Sequence, residues 1–137
     1  MCNLENANST EIVSDTTNPI VDLLPEQKDE TDMGGSLRLG ANEIMISQDS
    51  LAHKIYNSGK IFKRHRHRYE FNTKYRDEFL KNGMIFSGES DDGKRMEILE
   101  VPSHKFFLGV QFHPEFSSRP GFPEDAFKTF VSTASQN

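Results

Sequence analysis

The sequence predicts an α/β fold in which a sheet is flanked by helices, and three observations carry that expectation. An apolar run, Phe106-Phe107-Leu108-Gly109-Val110-Gln111-Phe112, stops abruptly at His113-Pro114-Glu115. Short alternating segments that suit strands are interleaved with stretches whose apolar residues recur at helical spacing. The 137 residues, 34% of them hydrophobic, have the length of one ordinary domain or part of one and can support a single core.

The run at 106–112 reads as a strand covered on both faces, and in open α/β sheets functional groups gather where the strands end. Pro114 discourages further sheet pairing, so His113 and Glu115 leave the strand together, with the carboxylate in reach of the imidazole. A histidine oriented by a carboxylate is the base half of a nucleophilic triad. A strand end whose histidine is merely hydrogen-bonded would show the same residues.

From the start of the chain, residues 1–18 are polar and lack apolar periodicity, which reads as a loop. Pro19-Ile20-Val21-Asp22-Leu23-Leu24-Pro25 is a short apolar run between prolines, followed by a charged, solvated turn over residues 26–32. Gly34-Gly35 opens Ser36-Leu37-Arg38-Leu39-Gly40-Ala41, whose alternating leucines suit a half-buried strand, and Glu43-Ile44-Met45-Ile46 gives another. Ser50 is placed to cap a short helix through Tyr56, with Leu51 and Ile55 on one face and Asn57-Ser58-Gly59 ending it. Over residues 61–72, alternation sets Arg64, Arg66 and Arg68 against His65, His67 and Tyr69. Thr73 caps a helix to about Lys81 that buries Tyr75, Phe79 and Leu80, and Asn82-Gly83 stops it. Strands flank Asp91-Asp92-Gly93, a hairpin signal. Pro123-Glu124-Asp125 begins a last helix that buries Ala126, Phe127, Phe130 and Val131.

A net charge of −5 argues against a general binder of nucleic acid or of membrane surfaces, which meet phosphate with basic surface. The lone cysteine, Cys2, excludes an internal disulfide framework, and no apolar run is long enough to span a bilayer. Residues 1–18 lack the apolar centre of a signal peptide, so a reducing, cytoplasmic setting is expected.

Two stretches invite chemistry besides the dyad. A His-x-His pair on a strand points both imidazoles one way, so His65 and His67 suit either a metal ion or polar packing positions among arginines. The basic cluster Lys60, Lys63, Arg64, Arg66 and Arg68 suits either RNA or carboxylates. A guanidinium fork matches a carboxylate in two hydrogen bonds, as recognition of an amino-acid substrate would need.

Four strings, taken in order, carry a resemblance that spans nearly the whole chain: Asn6-Ala7-Asn8-Ser9-Thr10-Glu11, Gly34-Gly35-Ser36-Leu37-Arg38-Leu39-Gly40, Arg64-His65-Arg66-His67-Arg68-Tyr69-Glu70, and Gln111-Phe112-His113-Pro114-Glu115-Phe116-Ser117-Ser118-Arg119-Pro120. Together they are similar to the C-terminal glutamine amidotransferase domain of the CTP synthases. The resemblance implies a class I glutamine amidotransferase-like, flavodoxin-like sheet flanked by helices. It implies glutamine hydrolysis by a Cys-His-Glu triad, with ammonia passed to a synthetase domain that uses ATP and Mg to aminate UTP. His113 and Glu115 match the triad members. Glu11, Arg68 and Tyr69 match the groups that bind glutamine, an acid for the ammonium end and a guanidinium for the carboxylate. The whole enzyme is expected to be a homo-oligomer, with no metal or cofactor in the present segment.

The resemblance also marks what residues 1–137 do not contain. The family nucleophile sits on a Gly-x-Cys-x-Gly turn, and Cys2, among Met1, Asn3 and Leu4, is not that residue. The expectation is therefore the C-terminal portion of one amidotransferase domain, incomplete at its N-terminal side, lacking nucleophile turn and synthetase domain and inactive alone. A non-catalytic binding or assembly module derived from the same family is the alternative.

Overall fold

The computed structural model describes residues 2–23 and 38–136. Its strands are β1 (Ala7–Ser9), β2 (Asn18–Asp22), β3 (Arg38–Ile46), β4 (Lys60–His67), β5 (Glu70–Phe71), β6 (Ile85–Ser90), β7 (Met96–Glu100) and β8 (Leu108–Val110). Helix α1 (Leu51–Tyr56) joins β3 to β4, α2 (Arg76–Lys81) follows β5, and α3 (Asp125–Ala134) closes the chain. The strands form a five-stranded sheet in the order β4-β3-β6-β7-β8 and a three-stranded sheet in the order β1-β2-β5. Among the described strands every pair in the larger sheet is antiparallel, and only β1 and β2 run parallel.

The local rules that place these elements are mostly those read from the sequence. Ser50 Oγ accepts from the His53 N–H at 3.0 Å, and Asn57 ends α1 with φ at +48°. A second device was not legible: the buried Glu100 carboxylate on β7 accepts from the Leu51 and Ala52 N–H groups at 2.9 and 2.8 Å and from Ser87 Oγ at 2.5 Å. It satisfies donors that the start of any helix leaves open. The β6–β7 hairpin turns at Gly93, whose φ of +69° suits a residue without Cβ. Ile44, Ile46, Ala52, Ile98 and Phe112 form the main core, and Phe71, Phe86 and Met96 form a second cluster joined by Phe79.

Several expectations change. The segment at 106–112 is a strand only over Leu108–Val110, and it pairs with β7 alone. It is an edge among the described residues, half-buried instead of covered on both faces. The last helix buries Ala126 but leaves Phe127, Phe130 and Val131 at 42%, 53% and 63% exposure, and Phe107 is 39% exposed beside them. An open apolar cleft of about 450 Å³ is lined by Phe106, Leu108, Val110, Ala126, Phe127 and Phe130, with the Phe106 and Phe130 rings in edge contact, centroids 5.4 Å apart. Helix periodicity identified the apolar face of α3, but among the described residues it is covered only in part: Ala126 is buried and Phe106 meets Phe130 edge-on. The polar start of the chain contains β1, because backbone pairing with β2 overrides the missing periodicity. Asn72, not Thr73, provides the cap of the turn before α2, and Leu80 is exposed. The two strands expected at 36–46 are one strand whose described part starts at Arg38. The calls on Leu24-Pro25, on 26–32 and on Gly34-Gly35-Ser36-Leu37 lie outside the described residues.

Candidate active site

His113 and Glu115 meet as the spacing suggested. His113 Nδ1 stands 2.7 Å from Glu115 Oε1. An ionised carboxylate can only accept, so Nδ1 is the donor, and in the neutral ring the lone pair falls on Nε2. The hydrogen bond from His113, helped by Glu115's own backbone N–H, holds this carboxyl below the ordinary range. Pro114 opens a short 3₁₀ turn, Pro114–Ser117, which folds Glu115 back toward the ring. The His113 N–H donates to the Arg64 carbonyl of β4 at 2.9 Å, and the ring stacks on Phe116 with centroids 5.2 Å apart. The pair therefore sits on an anchored turn, partly open to solvent.

The expected glutamine-binding residues are placed by other elements. Arg68 and Tyr69 form the bend between β4 and β5 and are half-buried, and Tyr69's carbonyl accepts from His67 Nδ1–H at 3.1 Å. Glu11 lies exposed in the turn between β1 and β2, where its N–H donates to Ser9 Oγ at 3.2 Å. Strand β4 links the two groups: its Arg64 carbonyl holds His113, and its end delivers Arg68. Glu11 belongs to the turn that precedes β2, which pairs with β5 at Val21 and Phe71.

The side chains of β4 alternate as expected, with Arg64 and Arg66 outward and exposed and Lys63, His65 and His67 inward. The inward histidines belong to a buried ionic network that sequence reading missed. His65 Nε2–H donates to Glu97 at 3.0 Å while Nδ1 faces the Asn42 amide at 3.3 Å, so both nitrogens are engaged. Arg38 Nη1 is 2.5 Å from Glu97 and 3.9 Å from Glu70, which also meets Arg95 Nε at 3.2 Å. Burial opposes the charge on Glu97, yet the His65 hydrogen bond and the Arg38 guanidinium hold its pKa below the ordinary value. Burial, then the neighbouring His65 and Arg38, lowers His67 from 6.5 to about 4, and its Nε2 is buried with no hydrogen-bond partner. The available signal was a charged residue inside an apolar strand, Glu97 between Met96 and Ile98.

His65 has no lone pair to offer a metal in this arrangement. Among the described residues no group of three or more His, Cys, Asp or Glu is arranged to hold one. No described helix is long and apolar enough to cross a membrane. The Cys2 thiol is pushed up, first by desolvation, and Glu78 of α2 is an acidic neighbour that adds to the rise.

Comparison with known proteins matches these observations to one family. The model of the family described as glutamine amidotransferase class-I matches residues 6–133. The CTP synthase of Staphylococcus epidermidis is 54% identical over 130 residues, which are 95% of this chain and 24% of that protein. The CTP synthase of Archaeoglobus fulgidus is 52% identical over 128 residues, 93% of this chain and 24% of that protein. The chain thus spans about a quarter of the length of these curated relatives. The solved glutaminase domain of Trypanosoma brucei CTPS, with bound acivicin, superposes with a TM-score of 0.88 at 36% identity, covering all of this chain and 53% of that one. With the family model covering nearly its whole length, the chain belongs to the class-I glutamine amidotransferases.

Proposed function

We propose that this chain supplies the base half of a glutaminase site in a CTP synthase, the remainder of which lies outside residues 1–137. The observation that carries the proposal is the His113–Glu115 pair, whose 2.7 Å contact leaves Nε2 as the basic nitrogen. In the proposed reaction Nε2 takes the proton of a thiol, the thiolate attacks the glutamine carboxamide, and the C–N bond breaks as the imidazolium returns that proton to departing ammonia. Water then releases glutamate from the thioester. Glu115 orients the ring and stabilises its charged form. Glu11, Arg68 and Tyr69 take the glutamine ends, the acid meeting the ammonium and the guanidinium the carboxylate.

The thiol is assigned to sequence outside residues 1–137. Cys2 lacks flanking glycines, and a thiol whose pKa is raised holds little thiolate at neutral pH. ATP and Mg are assigned to the synthetase part, as are UTP amination and the homo-oligomer, and the setting is cytoplasmic. The non-catalytic module draws support from the exposed Phe107, Phe127 and Phe130 beside β8, an edge among the described residues, which suit association in either reading.

A chimera in which residues 1–137 replace the matching segment of the S. epidermidis enzyme separates the readings. It is expected to form CTP from glutamine, whereas the isolated chain hydrolyses none and is not alkylated by a glutamine-directed reagent. Labelling of the isolated chain at Cys2, or a folded chimera that makes CTP from ammonia only, would overturn the proposal.

A further inference from the structure

Strand β4 grips the His-Pro-Glu turn at both ends, and the second grip is made of side chains. At the near end the His113 N–H donates to the Arg64 carbonyl at 2.9 Å. At the far end the Ser118 N–H donates to the Glu115 carbonyl at 3.1 Å, and Ser118 Oγ accepts from the Glu124 N–H at 3.2 Å. Glu124 is almost fully buried and uses both carboxylate oxygens: Oε2 accepts from the Ala126 N–H at 2.8 Å, capping α3, and Oε1 meets Lys63 Nζ at 2.6 Å. Lys63, the β4 residue next to Arg64, crosses the core to reach it, with Nζ 4.6 Å from the Tyr56 ring centroid and 5.9 Å from that of Phe112. Phe112 is the residue before His113 and is buried.

We propose that Lys63 and Glu124 are positioning residues for the His113–Glu115 dyad, their buried ion pair tying the far end of the turn to the strand that holds its near end. The proposal rests on the glutaminase reading above and adds residues that the strings shared with the family do not contain. The pair's burial fits this role. Side-chain exposures of 12% and 2% mean that neither charge is satisfied by water, so the partners hold each other in one arrangement. A dry aliphatic contact would tolerate sliding of α3 against β4, whereas this pair and the cap fix both the distance and the start of the helix. Any shift of α3 is then passed through Ser118 to Glu115, whose carboxylate sets the ring.

Two measurements test this, one on the chain and one on its chemistry. Amide hydrogen exchange of the chain reads the turn directly: Lys63→Met should speed exchange at His113 and Ser118 by roughly tenfold or more, while β6–β7 amides stay protected. In the chimera described above, Lys63→Met should lower glutamine-dependent kcat by roughly 10- to 100-fold, the scale of a small misplacement of reacting groups. The KM for glutamine should stay within about twofold, because the substrate contacts are untouched. CTP formation from ammonia should be unchanged, and Lys63→Arg should restore the glutamine rate. Should Lys63→Met fail to fold, the double variant Lys63→Met with Glu124→Gln removes both charges and keeps an acceptor for the α3 cap. A folded variant with unchanged exchange and unchanged glutamine kcat would overturn the proposal, as would equal loss of both reactions. A chimera inactive with glutamine before substitution counts against the glutaminase reading, and the exchange data on the chain then decide the clamp alone.

Discussion

Mild acidification should weaken the fold through His67, at pH values above those at which carboxylates take up protons. The perturbation is a drop from about pH 7.5 to about pH 5.5, above the ordinary value of 4.5 around which the unfolded chain protonates Glu97 and Glu115. His67 is held neutral by burial, by His65 and by Arg38, with its pKa lowered from 6.5 to about 4. A histidine lowered on folding contributes stability that is complete above its unfolded value. That contribution falls as pH passes below 6.5, because the unfolded chain takes up the proton first, and the loss levels off below about 4. At about 1.4 kcal/mol per unit the whole drop sets an upper limit of about 3.4 kcal/mol. About 1.4 kcal/mol of this falls within the stated interval, and since the ring keeps partial solvent contact, roughly 1 kcal/mol should be lost over it. Urea unfolding at both pH values measures it directly. The His67→Phe variant keeps the ring contact with His65 and removes the titration, so its stability should be nearly level over the same interval. It should also be about 1 kcal/mol lower at neutral pH, since the Tyr69 carbonyl loses its donor. Equal acid losses in the two proteins would refute the reasoning, because the titrating group would then lie elsewhere.

Gly88 faces Ile98 across the β6–β7 ladder, and a Cβ on it would stand 2.5 to 2.9 Å from three Ile98 side-chain atoms. Gly88→Ala should therefore cost about 2–3 kcal/mol in urea unfolding, and a value within about 0.5 kcal/mol of wild type would contradict the packing described. Glu100→Ala strands the donors that its carboxylate serves in α1 and at Ser87, so a loss of roughly 3–5 kcal/mol is expected. In the chimera, Arg68→Ala should chiefly raise the KM for glutamine, by roughly 1.5–3 kcal/mol for a charged hydrogen bond. A KM and kcat both unchanged would place Arg68 outside the substrate site.

The parts of this fold that sequence made legible are those governed by local rules. Ser50 and Asn57 bound α1 because capping chemistry is short-range, and Asp91-Asp92-Gly93 gave the hairpin for the same reason. The dyad was legible because a single proline separates its members. What was not legible depends on partners distant in sequence. Glu97 finds His65 across 32 positions, and Glu124 finds Lys63 across 61. Their burial could not be inferred from neighbours, since an isolated glutamate ordinarily reads as surface. The 106–112 strand and α3 were misjudged for a related reason: an apolar face shows that a cover is wanted, not that the described residues provide one. Glu11, Arg68 and Tyr69 were found through the family strings, and their side-chain roles remain proposals.

The central claim is that His113 is the base of a glutaminase site and not a structural residue of the strand end. The most direct measurement compares CTP formation from glutamine and from ammonia in the chimera carrying His113→Ala. The account predicts that the glutamine reaction collapses by roughly the 10²- to 10⁴-fold of a lost general base, or more if attack depends wholly on it, while the ammonia reaction keeps its rate. Glu115→Gln should lie between, since the ring remains but loses the anion that orients it. Equal loss of both reactions in a folded His113→Ala protein would contradict the account and make the residue structural.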